Sequence, residues 1–192
     1  MTAPGGLLFS GYGTGMTGLM MAVDKIRNAA QREANAYRDG EERPLASYLG
    51  TMGVYGASVA ALAGIGTLAG RRLPDRIAPY DVALLGVATH KLSRLIAKDT
   101  VTAPLRAPFT RFGGPQGEGE LHEEVRGHGL RHTVGELLTC PFCMAQWIAT
   151  AFAAGLIFAP RPTRLIASTL STVALSDALQ NVYAYLQKKA GE

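Results

Sequence analysis

The chain has 192 residues, 47% of them hydrophobic and 7% aromatic, with a formal net charge of +4. Its pI is about 9.2 and its mean hydropathy only +0.10, so the apolar residues must be gathered in segments. The basic residues are gathered too: Arg71, Arg72, Arg76, Arg161, Arg164, Lys188 and Lys189 stand at the ends of apolar runs, a membrane pattern that argues against a nucleic-acid partner.

Residues 1–44 read as a cytoplasmic arm. Positions 1–23 carry no charge, but they lack a basic start and hold Gly5, Gly6, Gly11, Gly13, Gly15 and Gly18, so no cleavable signal is expected. The first span would serve as the insertion signal. Leu19, Val23, Ile26, Ala30, Ala34 and Tyr37 then recur every three or four residues opposite Asp24, Asn28, Gln31, Asn35 and Arg38, which predicts an amphipathic helix stopped by Gly40. Such a helix can lie on a membrane surface or pack on the protein's own cytoplasmic face.

Residues 45–192 read as a transmembrane helical domain. The run 45–70 has no charged residue and exceeds the roughly 20 needed to span a bilayer. Gly53 with Ala57, and Gly56 with Ala60 and Gly64, give it small residues four apart. That spacing suits close helix contact, within the chain in preference to a homo- or hetero-oligomer. The second span, 79–98, has helical period but contains Asp81, His90, Lys91, Arg94 and Lys98, so its charges must face other helices, unless it is interfacial or re-entrant. The connection 99–136 is too long to be slack and is expected to be functional or locally folded. Runs 137–160 and 165–187 complete the set as a hairpin turning on Pro160 and Pro162. The fold class is therefore all-α: a small integral membrane bundle of about four transmembrane helices. Eleven basic residues on the arm, the long loop and the tail, against five on the other side, place both termini and loop 99–136 in the cytoplasm of a multi-pass cell-membrane protein.

Two constellations could carry chemistry. In Cys140-Pro141-Phe142-Cys143, Pro141 suits the first helical position, which makes Cys140 an N-cap whose thiolate the helix end favours. A glutaredoxin-like tetrapeptide makes both cysteines redox candidates, although no strand–helix–strand context accompanies it. Cytoplasmic placement argues against a structural disulfide. If one kinked helix runs from Gly129 through Pro141, then His132, Glu136, Cys140 and Cys143 share a sector with Trp147. Those four become candidate zinc or iron ligands; a buried structural role is the alternative. The second constellation comes from depth. His90 and Asp177 each lie about 16–18 Å into their helices at roughly 1.5 Å per residue, with Gln146 and Trp147 at a similar level. Asp177 should meet His90, or else Lys91 or Arg94, as a packing clamp or a proton path. Ser168, Thr172, Ser176 and Gln180 form a polar stripe beside it.

Three stretches carry a family resemblance: THKLSRLIAKDTVTAPLRAPF at 89–109, RGHGLRHTVGELLTCPFC at 126–143 with Trp147, and FAPRPTRL at 158–165. Over 80–183 the chain resembles the bacterial domain-of-unknown-function family 1360, sporulation-protein-like membrane proteins. The resemblance implies a multi-pass cell-membrane protein and supplies no reaction and no catalytic residue. The arm and first span look like an addition to it. The function expected is that of a non-enzymatic membrane or accessory protein whose partner is the lipid bilayer. The rivals are a thiol-redox or metal protein built on the CPFC motif and a small proton- or ion-coupled transport subunit. No particular cofactor follows.

Overall fold

The computed structural model describes residues 12–38 and 45–191, with side chains from residue 18 onward in the first segment. The chain divides at Leu45 into two compact units. In the first, α1 (Tyr12–Arg38) reaches back through Gly13, Gly15 and Gly18. Leu19, Val23, Ile26 and Tyr37 are exposed along it, and Arg27 pairs with Asp24 at 2.7 Å. The expected stop at Gly40 lies outside the described residues.

In the second unit α2 (Leu45–Leu68), α3 (Pro79–Ala97), α6 (Pro141–Phe158) and α7 (Pro160–Ala190) are the long helices. Proline opens α3, α6 and α7, where a missing N–H leaves nothing unpaired. The α6–α7 hairpin turns on Ala159 alone, and Gly155 lets the start of α7 approach: a Cβ there would stand 2.5 Å from Thr163 Oγ1. Among the described residues, α2 and α6 alone are both long and apolar enough to cross a membrane by length and composition. The described chain is thus mostly helical with two candidate spans, where four were expected.

The core lies where α3, α6 and α7 meet. Leu84, Ala88, Ile148, Phe152 and Ala167 are buried there, with Leu92, Met144 and Leu170 packed around them. Ala88 and Ala167 are fully buried, and their short side chains bring the helix axes close. The α2 helix packs more sparsely. Among the described residues, a Cβ on Gly53, Gly56 or Gly64 would have no neighbour within 4 Å, whereas one on Gly66 would lie 3.6 Å from the Phe158 ring of α6. The expected intrachain use of that face is not seen.

The segment 99–136 is folded, as its length suggested, but not as helix alone. A 3-10 turn (Thr100–Thr102) and the short α4 (Ala103–Arg106) lead to an antiparallel hairpin of β1 (Thr110–Gly117) and β2 (Glu120–Val125), then α5 (Leu130–Thr139). This corrects the all-α expectation. Gly113 is the extra residue of a bulge between Phe112 and Gly114, where a Cβ would stand 2.8 Å from His122. Gly119 takes φ of 76° in the turn. The hairpin is docked on the end of α3 by Leu121 N–H to Lys98 O at 2.8 Å and Thr100 N–H to Gly119 O at 2.9 Å.

At the centre of this cap Arg106 is fully buried. Its Nε donates to Glu123, itself buried; one Nη donates to Ile96 O and Thr102 Oγ1, both at 2.7 Å, and the other to Asp99 O at 2.9 Å. One guanidinium therefore ties the end of α3, the turn, α4 and β2 together. Asp99 caps the turn by accepting from Val101 N–H, and Thr110 Oγ1 reaches Glu123 at 3.3 Å. Of the stretch 89–109, Asp99, Thr102 and Arg106 are parts of this knot.

Candidate functional site

Two faces of the bundle carry the polar side chains. The first is the α3–α7 contact. Asp81, buried near the start of α3, accepts two bonds from Arg164 at 2.8 and 2.7 Å. One level on, Ser171 Oγ donates to Leu84 O at 3.0 Å. Further along, Lys91 Nζ meets Asp177 at 2.6 Å. These rungs show that α3 and α7 run parallel. Past Lys91, Arg94 grips Glu120 of the hairpin through both carboxylate oxygens, at 2.6 and 2.7 Å. Between these pairs opens a cleft of about 620 Å³ that His90, Gln180 and Asn181 also line.

Asp177 therefore meets Lys91, and the first-named expectation, His90, is corrected. His90 is exposed and shares only the cleft. Arg94 is engaged by Glu120. The stripe of Thr172 and Gln180 bonds within its own helix, to Ser168 O and Ser176 Oγ, and the residue that crosses to α3 is Ser171. Lys91 and Asp177 should couple by about 0.5–3 kcal/mol in a double-mutant cycle of Lys91→Met with Asp177→Asn, read by thermal unfolding. His90→Leu with Asp177→Asn should be additive within about 0.5 kcal/mol. Coupling to His90 instead would reverse the assignment.

The second face is the seam between α2 and α6. Cys140 separates α5 from α6 with extended φ/ψ of −101° and 104°, so the expected single kinked helix is two helices. It is the N-cap expected of it: Cys143 N–H points to Cys140 Sγ at 3.2 Å. The two sulfurs form a disulfide, which corrects the expectation against one. Cys143 is exposed and Cys140 half-buried. Glu136 sits one turn before the break; it accepts the Tyr48 hydroxyl of α2 at 2.6 Å and lies 3.4 Å from His132 Nε2. One turn after the motif, Gln146 donates to Tyr55 Oη at 2.6 Å, and Tyr55 shares a 2.9 Å bond with Thr150. The Tyr55 and Trp147 rings meet edge to face with centroids 5.1 Å apart. Gln146 and Trp147 thus turn to α2 and not to Asp177.

These groups line an open groove of about 750 Å³ with both cysteines on its wall. A second, apolar cavity of about 230 Å³ continues along the same seam beyond Thr150, lined by Leu62, Ala63, Ala153 and Ile157 among others. The proposed ligand set does not assemble. Among the described residues no three His, Cys, Asp or Glu side chains converge as a metal site, and His132 and Glu136 pair while the sulfurs bond each other. Sequence reasoning missed Tyr48 and Tyr55, whose sign was two tyrosines seven residues apart in an otherwise apolar run, and the pairing of Asp81, read as a charge facing another helix, with Arg164, read as a charge at the end of an apolar run.

A family model described as a protein of unknown function, DUF1360, matches residues 84–183, just over half of the chain. Those residues hold the cap, α5, α6 and most of α3 and α7, whereas α1 and α2 lie outside. The sporulation protein YjcA of Bacillus subtilis (strain 168) is 37% identical over 71 residues, which are 35% of this chain and 60% of that protein. The chain thus spans well under two thirds of the length of this curated relative. No solved structure matches it. With the family's core laid across the cap, α6 and the α3–α7 ladder, the chain belongs to the DUF1360 family.

Proposed function

We infer that the chain is a multi-pass cell-membrane protein whose Cys140–Cys143 pair is a thiol–disulfide redox centre. The observation that carries the redox reading is the disulfide itself: it closes a CxxC at the first turn of α6, with one sulfur exposed, on the wall of a cavity between the two apolar helices. A helix N-terminus stabilises the thiolate, so the reduced pair is a good nucleophile and leaving group.

Placement in a bilayer has separate support. Leu49, Met52, Val54 and Ile65 of α2 and Leu165, Leu175 and Leu179 of α7 are exposed, while the buried side chains include Asp81, Thr89, Ser93 and Thr163. A water-soluble protein distributes these the other way. The polar helices α3 and α7 match their charges to each other at Asp81–Arg164 and Lys91–Asp177, which is how ionisable residues are carried across lipid. The contacts Tyr48–Glu136, Tyr55–Thr150 and Gly66–Phe158 run α2 parallel to α6, as alternating crossings require. Reporter fusions at Pro74, Gly117 and Arg161 should read outside, inside and outside; an inside reading at Arg161 would leave α7 uncrossed.

The redox reading is tested on the full chain by alkylation gel shift across a series of glutathione ratios. The pair should titrate from oxidised to reduced without loss of fold. A pair that resists dithiothreitol until the protein unfolds would be a staple, and the chain would be the non-enzymatic accessory protein expected from its composition. The matched Lys91–Asp177 pair speaks for a packing clamp over the proton- or ion-coupled transport subunit.

A further inference from the structure

The α2–α6 seam holds two separate cavities. The larger, an open groove at the level of the disulfide, is lined by the Tyr55 and Trp147 rings and by Tyr48, Glu136 and Gln146. Its volume of about 750 Å³ lies within the range of small-molecule sites. The smaller is divided from it by the Tyr55–Thr150 bond and is lined by Leu62, Ala63, Ala153, Ala154 and Ile157. The groove suits a flat, hydrogen-bonding head whose hydrocarbon tail leaves through its open side. We propose that the groove binds an isoprenoid quinone, with its ring by Tyr55 and Trp147 beside Cys140–Cys143 and its tail in the surrounding lipid, and that this quinone is the oxidant of the cysteine pair. The proposal rests on the redox reading and gives it an electron acceptor.

The chemistry balances. A substrate dithiol reduces the Cys140–Cys143 bond by exchange at the exposed Cys143 sulfur and leaves as its own disulfide. The resulting pair of thiols then passes two electrons to the quinone: both S–H bonds break, the S–S bond re-forms, and the two ring carbonyl oxygens each gain a proton to give the quinol. Glu136, hydrogen-bonded to Tyr48 and beside His132, is the carboxylate placed to carry protons between sulfur and ring oxygen. Since α2 supplies Tyr48 and Tyr55 and lies outside the family match, the complete cavity belongs to this chain's longer form.

The test uses the full chain in nanodiscs made from quinone-free lipid, reduced and kept anaerobic, with decylubiquinone as the probe. Quinol should appear at one per disulfide formed, with a rate that saturates in quinone. Tyr55→Ala and Trp147→Ala should each raise the half-saturating concentration by roughly tenfold, the size of an aromatic contact. Saturation unaltered by either variant would overturn the site. A pair that titrates with glutathione but meets quinone no faster than the tetrapeptide Cys-Pro-Phe-Cys would overturn the quinone and keep the redox centre. A pair that does not titrate at all would overturn both.

Discussion

Arg106→Met should destabilise the cap by about 3–5 kcal/mol, because it removes one member of a buried ion pair and leaves the other charged. Glu123 is 6% exposed and would have only the Thr110 hydroxyl at 3.3 Å as a remaining side-chain donor. The carbonyls of Ile96 and Asp99 would each lose one donor and keep the Thr102 hydroxyl, at 3.5 and 3.0 Å. Arg106→Lys keeps the charge but has no planar fork to reach Glu123 and both carbonyls together, so it should recover only part of the loss. The double variant Arg106→Met, Glu123→Met removes the stranded charge and should be more stable than the single one. Thermal unfolding in detergent reads the ranking, and limited proteolysis within 99–136 locates it. A single variant as stable as the parent would mean the guanidinium is not the centre of the cap.

Gly135→Val should cost about 1–3 kcal/mol through overpacking. Gly135 is buried on the face of α5 that meets the hairpin, and a Cβ would stand 2.6 Å from Val125 Cγ1 and 3.1 Å from Phe109 O. The Val125 methyl can turn aside. The Phe109 carbonyl cannot, because it accepts Arg126 N–H at 2.9 Å and holds the end of β2. Gly135→Ala should fall between parent and Gly135→Val, since alanine's helix propensity, worth about 1 kcal/mol, offsets part of the contact. An increase in stability for valine would show that α5 and the hairpin can separate without loss.

Local rules were enough for some helix starts. Leu45 and Pro79 mark two of them, and Cys140 as N-cap follows from Pro141 alone, because capping and proline geometry involve only neighbouring residues; Pro160, read as part of a turn, opens α7. The folded nature of 99–136 followed from its length. Its hairpin did not: β1 reads TRFGGPQG, with three glycines and a proline, which are poor strand formers. Hydrogen bonds from Lys98 and Thr100 and the Arg94–Glu120 pair hold it in place, and those partners lie up to 26 residues away.

Counting residues along a helix gave the depth of Asp177's partner but not the partner. Successive residues differ by only about 1.5 Å in level while turning by about 100°, so His90 and Lys91 lie at nearly the same depth on different sides of the helix. Packing against α6 settles the aim, since Leu84 and Ala88 must face the core. The same holds for the cysteines, where spacing made their proximity legible but gave no hint of Tyr48 and Tyr55, contributed by a helix that starts almost a hundred residues earlier. Sequence alone determined the two apolar helices and the family, which depend on composition and local order. Tertiary structure decided the ion-pair ladder, the buried Arg106 and the seam beside the disulfide, because each joins side chains whose meeting is set by how the helices turn toward one another.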